Sequence, residues 1–249
     1  MKEFDYEYFY DKVGKINGWN FSNIKCSSEG VKWDFYEEVI KRCKKTDVLL
    51  DIGTGGGENI LRISFSLFFL IGIDLSSGML ETAVSNLKNS NVSNVKFFQM
   101  SSYDLHFPSG FFDVVSSCHA PLSSTEVYKV LKSGGWFLTQ QVSEADKLNI
   151  KNAFGRGQAY DKTDGALKEK YISELKEVGF SKIQSFEYDA IDYFERPEDL
   201  IFLLTNTPII PNFGEDKKDF EILNEFIEKN RNVKGIQTNS KRFLIIAKK

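Results

Sequence analysis

The segment TDVLLDIGTGGGENIL, residues 46–61, limits the possible folds more than any other part of the chain. Its unbroken aliphatic run reads as a short strand buried on both faces. Gly53, Gly55, Gly56 and Gly57 follow at once. Glycine loses more conformational freedom on folding than any other residue. Such a cluster belongs where the backbone must turn sharply or meet a ligand with no Cβ in between. The next helix, starting in GENILRIS, brings free N–H groups and a positive dipole end to the same place. A buried strand, a glycine turn and a helix N-terminus together form a ligand cradle at the carboxyl edge of an open α/β sheet.

The rest of the chain extends that sheet. Apolar runs recur at 68–74, 94–100, 112–118 and 136–142, with helical patterns between them. GMLETAVSNLKNS places Leu80, Val84 and Leu87 on one face, and STEVYKVLKSGG reads as a helix stopped by Gly134 and Gly135. GALKEKYISELKEVGF reads as a helix ending at Gly179. KIQSFEYDA (182–190) alternates as a sixth strand, and RFLIIAKK (242–249) is a seventh. This alternation implies a mostly parallel sheet with helices on both faces.

Two segments lie outside that pattern. The first forty-odd residues are rich in Tyr, Trp and Phe, and DFYEEVIKRC (34–43) has helical spacing. The stretch 191–240 is too long for a hairpin loop. It holds two helices, PEDLIFLL and DFEILNEFIEKN, around TPIIPNFGED. One domain over 1–249 is expected: an N-terminal helical lid (1–44), a core (45–190), a helical cap (191–240) and a final strand (241–249). Trp19, Trp33 and Phe213 are the lid candidates. Ile209 or Ile210 should reach an apolar pocket wall.

Composition excludes several classes. A net charge of −3 gives no general attraction to nucleic acid or anionic membrane. Cys26, Cys43 and Cys118 form no CxxC pair, so neither a disulfide framework nor a zinc site is suggested. The acidic, aromatic start lacks the apolar core of a signal peptide. The longest apolar-rich run, ISFSLFFLIGI, falls far short of the ~20 residues that span a bilayer. A cytoplasmic location is expected.

The cradle's ligand is narrowed by its charges. The dinucleotide fingerprint G-x-G-x-x-G fails at Glu58, and no GxxxxGK[ST] loop occurs. An acid at the helix N-terminus repels a pyrophosphate but tolerates a ligand without phosphates, and Asp51 would welcome a cationic amino group. Asp74 ends the second strand about 20 residues on, where a carboxylate can accept hydrogen bonds from both hydroxyls of a ribose. Its alternative role is to cap the helix in LSSGML, a task that Ser76 or Ser77 could fill instead.

Taken in order, VLLDIGTGGGE, IGIDLSSGML, FFDVVSSCHAPL and EVYKVLKSGGWFLTQQV resemble the successive motifs of class I S-adenosylmethionine-dependent methyltransferases, and the broad bacterial group acting on small molecules in particular. The match is strong over about 45–142 and looser at the last strand. The resemblance implies a Rossmann-like seven-stranded sheet and S-adenosyl-L-methionine as cofactor. It implies that Gly53, Gly55 and Gly57, with Thr54, line the methionine moiety and that Asp51 helps hold its amino group. Asp74 would bind the ribose, Leu75 would pack on the adenine, and Met79 would complete the pocket. Ser101, with Ser102 beside it, stands where the family often has an acid facing the adenine amino group. Cys118 and His119 would lie next to the sulfonium.

Methyl transfer from a sulfonium mainly requires alignment of nucleophile and methyl. A general base matters only where the acceptor must lose a proton, and His119 is the candidate. The bland alternative is that His119 merely packs beneath the cap. His106, before Pro108, reads as structural. One of Gln140 and Gln141 should face the pocket. Cys118 is better read as a small buried hydrophobe than as a nucleophile. CHAPL replaces the N/D-P-P-[YFW] of amino-methylating enzymes, so a small-molecule acceptor is favoured over RNA or protein. A cofactor-binding protein without chemistry and a nicotinamide oxidoreductase are the other readings.

Overall fold

The computed structural model describes residues 5–249. Its central strands are β2 (Val48–Ile52), β3 (Phe69–Asp74), β4 (Val95–Gln99), β5 (Phe112–Cys118) and β6 (Leu131–Val142). All neighbours among them pair in parallel. β7 (Ser181–Phe194) and β9 (Gly235–Lys248) complete the core, β9 lying antiparallel between β6 and β7. Two further strands, β1 (Cys26–Glu29) and β8 (Arg231–Asn232), add to the β7 edge and to β9. The order is β1-β7-β9-β6-β5-β2-β3-β4, with β8 off the path.

The expected seven strands are therefore nine among the described residues. The two extra strands are short and exposed along their whole length. A strand without a buried face leaves no hydrophobic alternation to read.

Period-two alternation builds a core on each face. Leu50 and Ile52 of β2, with Phe243, Ile245 and Ala247 of β9, face α5 (Ser124–Val130) and α7 (Ala166–Glu177). Leu49, Leu244 and Ile246 point the other way, onto α2 (Phe35–Ile40) and α3 (Glu58–Ile63). α4 (Ser77–Lys88) links β3 to β4, and α1 (Tyr6–Asn17) packs on α4. α5 stops at Val130, not at Gly134 and Gly135 as the sequence suggested. Leu131 is already extended and pairs with Phe112, so both glycines fall inside an irregular start of β6. A Cβ on Gly135 would come 2.8 Å from the Asp113 carbonyl oxygen.

The expected cap is shorter than 191–240. β7 continues to Phe194 and β9 starts at Gly235, so the helical insertion is α8 (Pro197–Asn206) and α9 (Lys218–Asn230) with their loop. It shares a third apolar cluster with α6 (Leu148–Phe154), in which Ile150, Leu204, Ile210 and Leu223 are all buried. Ile209 lines a separate cavity, beside Val142 and Lys151.

Candidate active site

The strand order reverses beside β2. The chain builds β3 and β4 to one side and then returns to place β5 on the other. Loops after β2 and β5 therefore diverge over a crevice. Gly53 and Gly55 adopt φ of 71° and 57°, a region L-residues rarely occupy. A Cβ on Gly53 would sit 2.1 Å from the Ala120 Cβ, so the two loops touch only because that atom is missing.

A cavity of about 330 Å³ opens there, lined by Gly53, Thr54, Gly55, Asp74, Leu75, Met79, Ser101, Ser102, Cys118 and His119. These sequence candidates come together as expected. Tyr6, Tyr10, Trp19 and Tyr36 line the same cavity. Of the lid candidates only Trp19 faces this cavity. Trp33 instead hydrogen-bonds to Gln140, and Phe213 joins the third apolar cluster. No residue of the α8–α9 insertion lines it, so the cover over the crevice is α1 and the loop after it, not the cap.

Two candidates lie elsewhere. Gly57 is the N-cap of α3, and a Cβ there would meet the Phe97 ring at 2.6 Å; its lack of a side chain serves packing. Asp51 is fully buried and is not among the described residues lining the cavity. It accepts a hydrogen bond from Ser116 Oγ at 2.6 Å and a long one from the Tyr36 hydroxyl at 3.5 Å. Burial pushes its carboxyl up to about 7, against the pull of these donors. Thr54 Oγ1 leans on the same carboxyl without completing a hydrogen bond of normal geometry and is left as a buried polar atom without a partner.

Asp74 lines the cavity with its carboxylate fixed by the backbone. Its Oδ2 accepts Gly55 N–H at 2.9 Å and its Oδ1 accepts Ser76 N–H at 3.0 Å, which locks the carboxylate plane. Ser76 caps α4 by accepting Met79 N–H, so Asp74 is spared that task. Burial raises its pKa, although three backbone N–H groups oppose the shift. No lysine or arginine is among the described residues lining the cavity, whereas Glu7, Glu58 and Asp74 are. Glu58 Oε1 accepts Trp19 N–H at 3.2 Å and ties the cover loop to the start of α3.

At the end of β5, His119 has φ of 57°, an uncommon conformation for a side chain of its size. Its N–H donates to the Gln140 carbonyl at 2.8 Å. Its ring lies 3.2 Å from Gln140 Nε2. Burial, reinforced by Arg242, pushes the imidazole down to about 3, so it is neutral at physiological pH. The Cys118 thiol is pushed up to about 12 by burial and is no nucleophile. Gln140, not Gln141, is the glutamine that reaches His119; Gln141 donates to Ala120 O and Thr139 Oγ1. His106 is exposed and pairs with Asp104.

Residues 49–135 match the family described as "Methyltransferase domain". Over those residues the chain carries a methyltransferase domain, and its motifs and fold resemble those of the class I S-adenosylmethionine-dependent methyltransferases. An uncharacterized methyltransferase of Bacillus subtilis, YcgJ, is 34% identical over 103 residues, covering 39% of this chain and 41% of that one. The aligned part thus spans less than half of that relative. Its crystal structure matches this methyltransferase fold with a TM-score of 0.62 at 21% identity, over 86% of this chain and 97% of the other. A demethylmenaquinone methyltransferase of Symbiobacterium thermophilum is 27% identical over 204 residues, 77% of this chain and 79% of that one. The cyclase SpnF shares the fold, with a TM-score of 0.58 at 18% identity over 86% and 79%. No helix among the described residues is long and apolar enough to cross a membrane.

The cofactor of this methyltransferase family suits the cavity. S-adenosylmethionine carries a sulfonium and an ammonium, and the crevice supplies carboxylates and aromatic faces, with no lysine or arginine among its described lining residues.

Proposed function

We propose that the protein transfers a methyl group from S-adenosyl-L-methionine to a small molecule. The observation that carries this reading is the orientation-locked Asp74 in a crevice whose described lining residues include three acids and no lysine or arginine. When bound, the cofactor supplies a methyl group already activated by positive charge on sulfur. The protein's work is then to bind, align and exclude water. Gly53 and Gly55 let the backbone approach, Asp74 holds the ribose, and Leu75 and Met79 give an apolar wall to the adenine. Ser101 and Ser102 offer hydroxyls at its rim. Tyr10 and Trp19 close the crevice from above.

A small acceptor is supported by the modest volume of the cavity beneath α1, about 330 Å³, and by the demethylmenaquinone methyltransferase among the relatives. RNA or protein acceptors would need an open approach to Cys118 and His119. Retention of the cofactor without chemistry is the second reading, supported by Ser101 at the place of a family acid. A nicotinamide dinucleotide is disfavoured by Glu58, whose carboxylate stands where a pyrophosphate would lie. Three unpaired cysteines accord with a reducing, cytoplasmic setting. A screen with methyl-labelled cofactor against pooled metabolites and total RNA tests this reading. Label in a small product supports it, and label in RNA alone replaces it. Cofactor binding with no labelled product from any pool would favour the second reading.

A further inference from the structure

His119 sits where a general base would be sought, but its hydrogen bonds assign it a different part. The decisive atom is the indole N–H of Trp33, 2.7 Å from Gln140 Oε1. An indole nitrogen can only donate, so the amide atom facing it must be oxygen. This orients the Gln140 amide, whose two hydrogens then point at the Cys118 sulfur, 3.6 Å away, and at His119 Nε2, 3.2 Å away. A ring nitrogen facing an amide N–H must offer its lone pair. The proton of the neutral imidazole is thereby on Nδ1.

We infer that Trp33 and Gln140 are positioning residues that hold His119 as its neutral Nδ1–H tautomer, so that the ring serves the site as a hydrogen-bond donor and not as a base. Its one lone pair is occupied by the amide. The surroundings reinforce this. Arg242 of β9, paired with Asp146, adds positive charge nearby, and Cys118 and Tyr188 add no ionised partner. Trp33 is itself held against Tyr188 in a tilted ring contact, centroids 4.6 Å apart and planes inclined by 58°. The backbone repeats the link, since His119 N–H is bound to Gln140 O.

A consequence for the acceptor rests on the methyl-transfer reading. The nucleophile must reach the site already free of the proton it would otherwise lose to this ring, as a carboxylate, thiolate, enolate or unprotonated amine does. Nδ1–H can hold an oxygen or other lone pair of that molecule.

The tautomer is measured in the full chain by long-range proton–nitrogen NMR of the imidazoles, independently of any activity. Only two histidines contribute, and a His106→Gln variant assigns the exposed one. We expect His119 with a protonated Nδ1, an unprotonated Nε2, and no titration from about pH 8 to pH 5. In Gln140→Glu the new carboxylate can only accept. It should draw the proton to Nε2 and bring the ring's titration into that pH range. Trp33→Phe keeps an aromatic against Tyr188 but frees the amide to turn, and should produce a mixture of tautomers; it also stands in if the glutamate variant fails to fold. Wild-type His119 protonated on Nε2, or titrating near neutral pH, would overturn the inference. So would a Trp33→Phe spectrum identical to wild type. Failure of the methyl-transfer reading leaves these signals untouched and removes only the statement about the acceptor.

Discussion

Asp74 concentrates the argument at the scale of single residues. Its carboxylate accepts two backbone N–H bonds and still has lone pairs for a ligand. Asp74→Ala is expected to weaken S-adenosylhomocysteine binding by roughly 30- to 150-fold, equivalent to ~2–3 kcal/mol for a charge-assisted contact, measured by calorimetry. It also leaves Gly55 N–H and Ser76 N–H without partners, so melting should shift down as well. Affinity unchanged in a folded variant would place the ribose elsewhere. Asp51 yields a pH prediction. Its folded-state pKa is raised to about 7 by burial, so the folded protein holds a proton that the unfolded chain gives up in the ordinary carboxylate range. That contribution to stability is fully present at low pH and is lost as pH rises through about 7. Asp51→Asn keeps an acceptor for Ser116 and cannot ionise. Wild type should lose stability relative to this variant by up to about 1.4 kcal/mol per pH unit inside that window. Urea unfolding at several pH values checks this, and parallel curves would mean that Asp51 is ionised throughout. His119, with its depressed pKa, loses stability towards acid in both proteins and cancels from the comparison.

At the scale of elements, the docking of α1 on α4 decides whether the crevice is covered. The two helices cross backbone to backbone: a Cβ on Gly14 would lie 2.4 Å from Met79 N, and one on Gly78 2.3 Å from Asp11 O. Asp11 then accepts hydrogen bonds from Ser76 Oγ at 2.7 Å and Gly78 N–H at 3.2 Å at the start of α4. Gly14→Val should push α1 away and weaken cofactor binding about tenfold or more, about 1.4 kcal/mol, while leaving the sheet's cooperative melt in place. Normal affinity with faster exchange in 5–19 would show that α1 does not cover the ligand. This contact was not legible in the sequence, because two isolated glycines in unrelated helices carry no shared period. The central strands and the glycine turn were legible, since buried parallel strands are continuous apolar runs and left-handed turns need glycine. The burial of Asp51 is not legible in the sequence. Its strand position sets which way its side chain points, and that depends on partners such as Ser116, 65 residues away. The ends of β7 and β9 read as cap in the sequence because polar residues, Thr238 and Ser240, fill buried positions of β9 and so hide its alternation, while β7 ends on two consecutive buried aromatics, Tyr193 and Phe194.

The whole molecule has two cores flanking one sheet, and a third apolar cluster in which the α8–α9 insertion is already packed. The insertion therefore should not behave as a mobile cover. Its link to the crevice is indirect, through the ring contacts Tyr10–Trp19, Trp19–Phe21 and Phe21–Phe202. Hydrogen exchange with and without S-adenosylhomocysteine should show strong ligand protection in 5–22 and little in 218–230. Equal protection of both segments would restore the insertion as part of the lid. The central claim is that the crevice at the end of β2 and β3 binds S-adenosylmethionine through Asp74 under the cover of α1. Calorimetric titration of the full chain with S-adenosylhomocysteine, beside the Asp74→Ala variant and with NAD as control, tests it most directly. One-to-one micromolar binding of the homocysteine compound is expected, greatly weakened in the variant, and none of NAD. Binding of NAD with no response to S-adenosylhomocysteine would contradict it.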